Sequence, residues 1–218
     1  MNQNLTIGRP LVILTGGIAT GKSSVAQRLR LHGIDVIDTD AIAHALTAPN
    51  GAALPELHTA FGDDIFAADG TLNRAALRDI VFNDPGQKTR LEQILHPMIR
   101  RKAIEALAAA TSAYVVADVP LFAETGFLRE QADRVLVVDC PPEIQKQRLL
   151  ARGNVPEELA DLILQAQAPR ETRLSLATEV LDNSGSPEQR DEKLDQLHQR
   201  YLFLAAGTEN NDKNPTCV

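Results

Sequence analysis

Residues 11–29 read LVILTGGIATGKSSVAQRL, and this stretch restricts the possible folds more than any other in the chain. A short apolar run enters a glycine pair, and Gly21-Lys22-Ser23 opens a segment with helical spacing. Gly16, Gly21, Lys22 and Ser23 fit the pattern G-x-x-x-x-G-K-[ST]. Glycines let the backbone curl so that consecutive N–H groups converge on phosphate oxygens. The helix that follows adds its own N-terminal N–H groups and the positive end of its dipole. Lys22 is spaced to reach the β- and γ-phosphates, and the Ser23 hydroxyl to ligate magnesium. The expected phosphate-binding set is Gly16, Gly17, Ile18, Ala19, Thr20, Gly21, Lys22, Ser23 and Ser24. Its expected ligand is a nucleoside triphosphate with Mg2+.

Apolar runs alternate with helical patterns along most of the chain. Residues 11–15, 34–38, 114–119, 134–139 and 178–182 are short and apolar without strict alternation, which suits parallel strands covered on both faces. Asp84-Pro85 and Ser186-Pro187 each put a capping side chain before a proline at the first helical position. Leu159, Leu162, Ile163 and Ala166 keep the i, i+3, i+4, i+7 spacing of a buried helix stripe, and Leu194, Leu197, Tyr201 and Leu204 keep a similar one. This predicts an α/β protein with a P-loop NTPase-type parallel sheet of about five strands flanked by helices. Residues 41–110 break the rhythm with about four helical patterns and no strand, which predicts a helical insertion. The expected organisation is a nucleotide-binding core from 1–40 and 111–206, with a lid over 143–172. The insertion occupies 41–110, and a polar, disordered tail follows at 207–218.

Composition excludes several classes. The formal net charge is -7, so the chain has no general electrostatic pull toward nucleic acid, and any polyanion must be held by a local cluster. Two distant cysteines, Cys140 and Cys217, form neither a disulfide framework nor a zinc spacing. The N-terminal residues lack a basic segment, and the apolar run after them is too short for a signal peptide or membrane span. A cytoplasmic protein with no membrane partner is expected. Guanine-reading N-K-x-D is absent, and D-x-x-G occurs only at 182–185, near the end of the chain, which argues against a GTP switch. A small-molecule kinase suits the chain better.

Asp38 and Asp40 stand at the end of the second predicted strand, the side on which open α/β sheets bind ligands. A carboxylate there can take a proton from an attacking hydroxyl or orient it. It can equally cap the helix that follows. Asp118, at the end of a buried strand, is a candidate second-shell magnesium group.

These segments together resemble the dephospho-CoA kinase family over residues 11 to about 204. LTGGIATGKSSVA resembles its phosphate loop and GIDVIDTDAIAH its second-strand motif. FGDDIFAADGTLNRAALRDIVFNDP and LEQILHPMIR are similar to its substrate-domain signatures, and DVPLFAE to its V-P-L-L-x-E strand end. QKQRLLARG resembles its lid and DNSG its adenine-side loop. Three positions depart from the family pattern. Ala19 stands where glycine is common, acceptable with a negative φ; Phe122 replaces a leucine; and Ala168-Pro169 interrupts a polar run.

The resemblance implies transfer of a phosphoryl group from ATP to the ribose 3′-hydroxyl of dephospho-CoA, the last step of coenzyme A synthesis. It places the catalytic base on Asp40, with Lys22 stabilising the transferring group. It puts Arg148, Arg152 and Asn183 on ATP, and Asp40, His96, Pro120, Leu121 and Glu124 on the substrate. Arg148 and Arg152, four apart, would share one helix face that closes over the phosphates. His96 would start a helix before Pro97. Two other readings are another P-loop kinase with a nucleoside monophosphate-like acceptor, and a nucleotide-dependent binding protein. A pure binder has no need of the acid at Asp40.

Overall fold

A computed structural model describes residues 7–153, 155–207 and 216–217. The readings of residues 1–6, 208–215 and 218 lie outside the described residues. The chain divides into two compact units, one from Met1–Ile37 with Leu107–Val218 and the other Asp38–Ala106.

The first unit is built on a sheet. Its strands are β1 (Leu11–Gly16), β2 (Asp35–Asp38), β3 (Val115–Asp118), β4 (Arg134–Asp139) and β5 (Glu179–Asp182), with β6 (Thr216–Cys217) added at the edge. The order is β2-β3-β1-β4-β5-β6, and β1 pairs in parallel with both β3 and β4. The five longer strands fall on the five apolar runs. The sixth corrects the expectation of a wholly disordered tail, since Thr216–Cys217 pairs in parallel with Glu179–Val180. The reason is the edge itself: β5 presents unpaired backbone groups there, which a short segment of any composition can satisfy.

Helices cover both faces. On one, Val12 and Leu14 pack with Val25 and Leu29 of α1 (Lys22–Leu31) and with Leu194 and Leu197 of α10 (Pro187–Ala205). On the other, Leu11 and Ile13 pack with Leu107 and Phe122. Each such buried aliphatic side chain contributes about 1.5–3 kcal/mol. Ser186 starts α10 with a full capping box, its hydroxyl accepting from Gln189 N–H while the Gln189 side chain accepts from Ser186 N–H. The chain leaves β1 toward β2 on one side and later passes β1 to reach β4 on the other. The C-terminal end of β1 is therefore a topological switch point, where such sheets bind ligands.

The second unit is helical. It holds α2 (Thr39–Leu46), α3 (Leu54–Phe61), a 3-10 turn at Asp63–Ile65, α4 (Arg74–Asn83) and most of α5 (Pro85–Ala109) around Leu46, Leu57, Ile65, Leu77 and Met98. His96-Pro97 corrects the expected helix start, because Pro97 lies inside α5. A missing N–H there costs one backbone hydrogen bond, which a 25-residue helix absorbs without ending. In the first unit, α6 (Phe122–Thr125), α7 (Pro142–Ala151), α8 (Glu157–Gln165) and α9 (Arg170–Ser175) complete the fold. The α8 stripe also differs from expectation. Ala160 and Ile163 pack on Leu149, while Leu159 and Leu162 are 45% and 61% exposed. A nine-residue helix packed through one alanine leaves its larger leucines outside.

One polar cluster ties α1, β3 and α10 together. His32 and His198 stack with ring centroids 4.5 Å apart. His32 Nε2 lies 2.7 Å from Asp195, which Arg28 also grips, and His198 Nδ1 shares a 2.8 Å hydrogen bond with the Tyr114 hydroxyl. Burial, followed by the neighbouring His32, holds the His198 pKa below its ordinary value. In the unfolded chain this histidine takes up its proton near pH ~6.5. Below that pH the unfolded state binds the extra proton and the folded state resists it, so stability falls on acidification. Thermal melts from pH 8 to pH 5 are expected to show a falling Tm that His198→Gln flattens. A His198→Gln profile parallel to that of the wild type would contradict this.

Candidate active site

The β1–α1 turn is the organising element. Gly16 ends β1, and a Cβ there would stand 2.5 Å from the Val138 carbonyl oxygen. Thr20 closes the loop on itself, its hydroxyl and N–H both donating to Gly17 O at 2.8 and 3.3 Å. Gly21 caps α1 in the left-handed region, φ 95°, and a Cβ there would run into the Asn183 side-chain amide. No side chain caps α1 and no acidic residue lies in its first turn. Its first N–H groups and dipole are thus left for an anion.

Ala19 corrects the expectation of a negative φ: it is left-handed at φ 59°. That conformation costs an L-residue roughly 1–2 kcal/mol. The loop must curl there to turn its N–H groups inward, and the methyl is buried against Leu149 and Ala160, which holds the conformation.

Side chains from later in the chain brace the loop from outside. Asn183 Nδ2 donates to Thr20 O at 2.6 Å. Arg148 donates to Thr20 O at 3.4 Å and to Asn183 O at 2.8 Å, so its guanidinium links two loop carbonyls. Gln145 Nε2 donates to Ile18 O, and Ile18 N–H donates to Gln167 Oε1, both at 2.7 Å. The Arg173 guanidinium lies against Gly17. Lys22 Nζ forms an ion pair with Asp118 at 2.5 Å, the carboxylate side chain being only 3% exposed. Burial raises the Cys140 thiol pKa, and Arg148 opposes this, 3.8 Å from its sulfur.

The structure thus brings Gly16 to Ser24, Arg148 and Asn183 together in one unit. Arg152 is exposed at the C-cap of α7 and shares none of the contacts of Arg148. Pro120 and Leu121 follow β3; Thr15 Oγ1 donates to Pro120 O at 3.4 Å, and Leu121 is 51% exposed. Glu124, on α6, accepts from Ala168 N–H at 3.0 Å. Phe122 is in the core, 1% exposed. Asp40 and His96 are in the helical unit, both exposed. Asp38 is the N-cap of α2 and accepts from the N–H groups of Asp40 and Ala41 at 2.9 and 3.0 Å, while Asp40 sits in the first turn. Sequence reasoning missed Gln145, Gln167 and Arg173. Their only signal was a polar residue on a short helix or beside one, which reads as solvated surface.

A metal held by protein alone does not fit, since among the described residues no three His, Cys, Asp or Glu side chains cluster suitably. One carried in by a nucleotide does fit, because Ser23 is exposed in the first turn of α1. No helix among the described residues is long and apolar enough to cross a membrane.

Comparison with known proteins follows the same lines. Residues 10–189 match the sequence profile of the dephospho-CoA kinase family. A dephospho-CoA kinase of Aromatoleum aromaticum is 46% identical over 198 residues, covering 91% of this chain and 97% of the relative. A crystal structure of a Thermus thermophilus protein superposes with TM-score 0.77 at 33% identity, over 88% of this chain and 97% of that one. A dephospho-CoA kinase from Campylobacter jejuni superposes with TM-score 0.67 at 26% identity, over 91% and 98%.

The packing at Gly21 gives a direct test. Gly21→Ala forces a side chain into left-handed backbone and onto Asn183. It is expected to cost about 1–3 kcal/mol and to abolish the rise in Tm that Mg-ATP gives the wild type. A variant that melts and responds like the wild type would show that the turn tolerates a side chain.

Proposed function

The chain belongs to the dephospho-CoA kinase family, and on that premise we propose a division of labour among its residues. The overall reaction is ATP plus dephospho-CoA giving ADP plus coenzyme A. The observation that carries the reading is the glycine loop set in front of an uncapped helix N-terminus with Lys22 in its first turn.

Phosphoryl transfer demands alignment and charge neutralisation more than covalent chemistry. Loop residues from Gly17 to Ser24 hold the β- and γ-phosphates through the N–H groups not already bonded within the loop or to Gln167, and Lys22 follows the charge as it shifts to the leaving oxygen. Without nucleotide, Asp118 neutralises Lys22. Asn183 and Arg148 keep the loop in its binding shape and form the ATP side of the site. Arg152, exposed on the lid over 143–172, closes with it and helps exclude water, the competing acceptor. Ser23 holds a magnesium ion that arrives with ATP and lowers the charge on its phosphates.

Asp40 accepts the proton of the ribose 3′-hydroxyl as that oxygen bonds to the γ-phosphorus and the bond to the β,γ-bridging oxygen breaks. Its neighbour Asp38 is the N-cap of α2 and accepts from the Asp40 and Ala41 N–H groups. His96, Pro120, Leu121 and Glu124 frame the dephospho-CoA. We assign the reaction to the cytoplasm.

Incubation with Mg-ATP and dephospho-CoA, adenosine or AMP, read by mass spectrometry, is expected to give phosphorylated product from dephospho-CoA alone. Turnover of AMP without turnover of dephospho-CoA would overturn the reading. Asp40→Asn is expected to lower kcat by about 10²–10⁴-fold, the usual contribution of a positioned base, with ATP affinity unchanged. Near-wild-type kcat in that variant would remove Asp40 from the role.

A further inference from the structure

Two arginines three apart on the short helix α9 have opposite surroundings. Arg170, its side chain 40% exposed, pairs with both oxygens of the Asp139 carboxylate, Nε donating to Oδ1 at 3.1 Å and Nη2 to Oδ2 at 2.5 Å. Arg173 is only 8% exposed, yet among the described residues no carboxylate pairs with it. One hydrogen bond satisfies it, from Nη1 to Ala168 O at 2.5 Å, out of the five donors a guanidinium carries. Buried cations are normally paired, because a desolvated charge without a counter-charge is costly.

The Nη2 end of Arg173 lies at the loop. A Cβ at Gly17 would stand 2.9 Å from Arg173 Nη2 and 3.2 Å from Cζ, so the guanidinium rests on the glycine backbone itself. The neighbouring residue Ile18 is fixed at both its N–H and its carbonyl by Gln167 and Gln145. The Ala168 carbonyl that holds Arg173 is itself anchored, since the Ala168 N–H donates to Glu124 at 3.0 Å. Pro169 then fixes the entry to α9. The guanidinium is thus positioned, desolvated and unneutralised, beside the glycine loop and an uncapped helix N-terminus. Two other cations stand there: Lys22, which has Asp118, and Arg148, which donates to the Thr20 and Asn183 carbonyls.

We propose that Arg173 is a phosphate-binding residue whose counter-charge is the triphosphate of the bound nucleotide. This rests on the reading of the loop as the ATP site and adds a second cation to Lys22, at the Gly17 end of the loop. It also accounts for Gly17, where a side chain would push the guanidinium off the phosphates. Arg173 binds only when a polyanion arrives, so the empty site carries an unbalanced positive charge that favours a highly charged ligand.

The test is titration of Mg-ATP into wild type, Arg173→Met and Arg173→Gln without acceptor, by calorimetry at several salt concentrations, with thermal melts of each nucleotide-free protein. Both variants are expected to bind ATP at least about 10-fold more weakly, as removal of a charge-assisted contact does. Their nucleotide-free Tm should match or exceed that of the wild type, since an unpaired buried charge has gone. The salt dependence of ATP affinity should become shallower, which loss of a purely structural contact would not cause. Should Arg173→Met fail to fold, Arg173→Gln decides, because its amide keeps the bond to Ala168 O. Wild-type ATP affinity and salt dependence in folded Arg173→Gln would overturn the proposal. Failure of the wild type to phosphorylate dephospho-CoA while it binds ATP would instead overturn only the functional reading.

Discussion

A chain that leaves the middle of a parallel sheet and starts a helix within six residues must turn with its amide N–H groups facing inward. At the end of β1 that geometry is enforced by left-handed backbone at Ala19 and Gly21, and nearly everything around it is arranged to hold it. Asn183 follows β5, Arg148 and Gln145 ride on α7, and Gln167 precedes α9. All four direct side-chain donors or acceptors at the backbone of residues 18–20 or at one another. The sheet order matters for this reason: β4 lies beside β1 and β5 beside β4, so the segments that leave their C-terminal ends arrive at the loop.

Electrostatics explains why an acidic chain binds a polyanion. The net charge is -7, so attraction is local. The loop gathers helix-terminus N–H groups, Lys22 and Arg173, and it excludes acids from the first turn of α1. Asp118 is the exception. A buried carboxylate beside Lys22 adds little net stability, because desolvation offsets most of the attraction. Its effect is to keep the ammonium oriented and neutralised when no nucleotide is bound. Arg173 has no such partner, and the asymmetry between the two cations separates a resting contact from one reserved for ligand.

The elements that could be read from sequence are those whose signal is local. Five strands fell on five apolar runs because each is buried on both faces, and Ser186-Pro187 marked a helix start because capping is short-range chemistry. The loop was legible because its glycines and Lys22 have fixed spacing. What could not be read depends on neighbours distant in sequence. Ala19 is left-handed because α7 and α8 bury its methyl, which nothing within the loop announces. His96-Pro97 looked like a helix start, but tertiary packing carried α5 through the proline. Gln145 and Arg173 look like surface polar residues until the fold sets them on Ile18 and Gly17. Thr216–Cys217 forms a strand through an open edge and not through its own composition.

Several departures from ordinary folding rules in the first unit gather near the loop, although Leu128 is left-handed and Leu31, Leu121 and Phe203 are exposed elsewhere in it. The β1, β3 and β4 core is largely apolar and buried, and it includes one left-handed residue, Leu128 at φ 66°, in the turn between α6 and β4. The left-handed alanine, the buried arginine without a carboxylate and the exposed Leu159 and Leu162 all lie on the loop or on the segment from α7 to α9. Each costs stability in the nucleotide-free chain, and natural sequences retain such features where a ligand or a motion offsets them. Strain at Ala19 shapes the cradle, and the charge on Arg173 waits for phosphate.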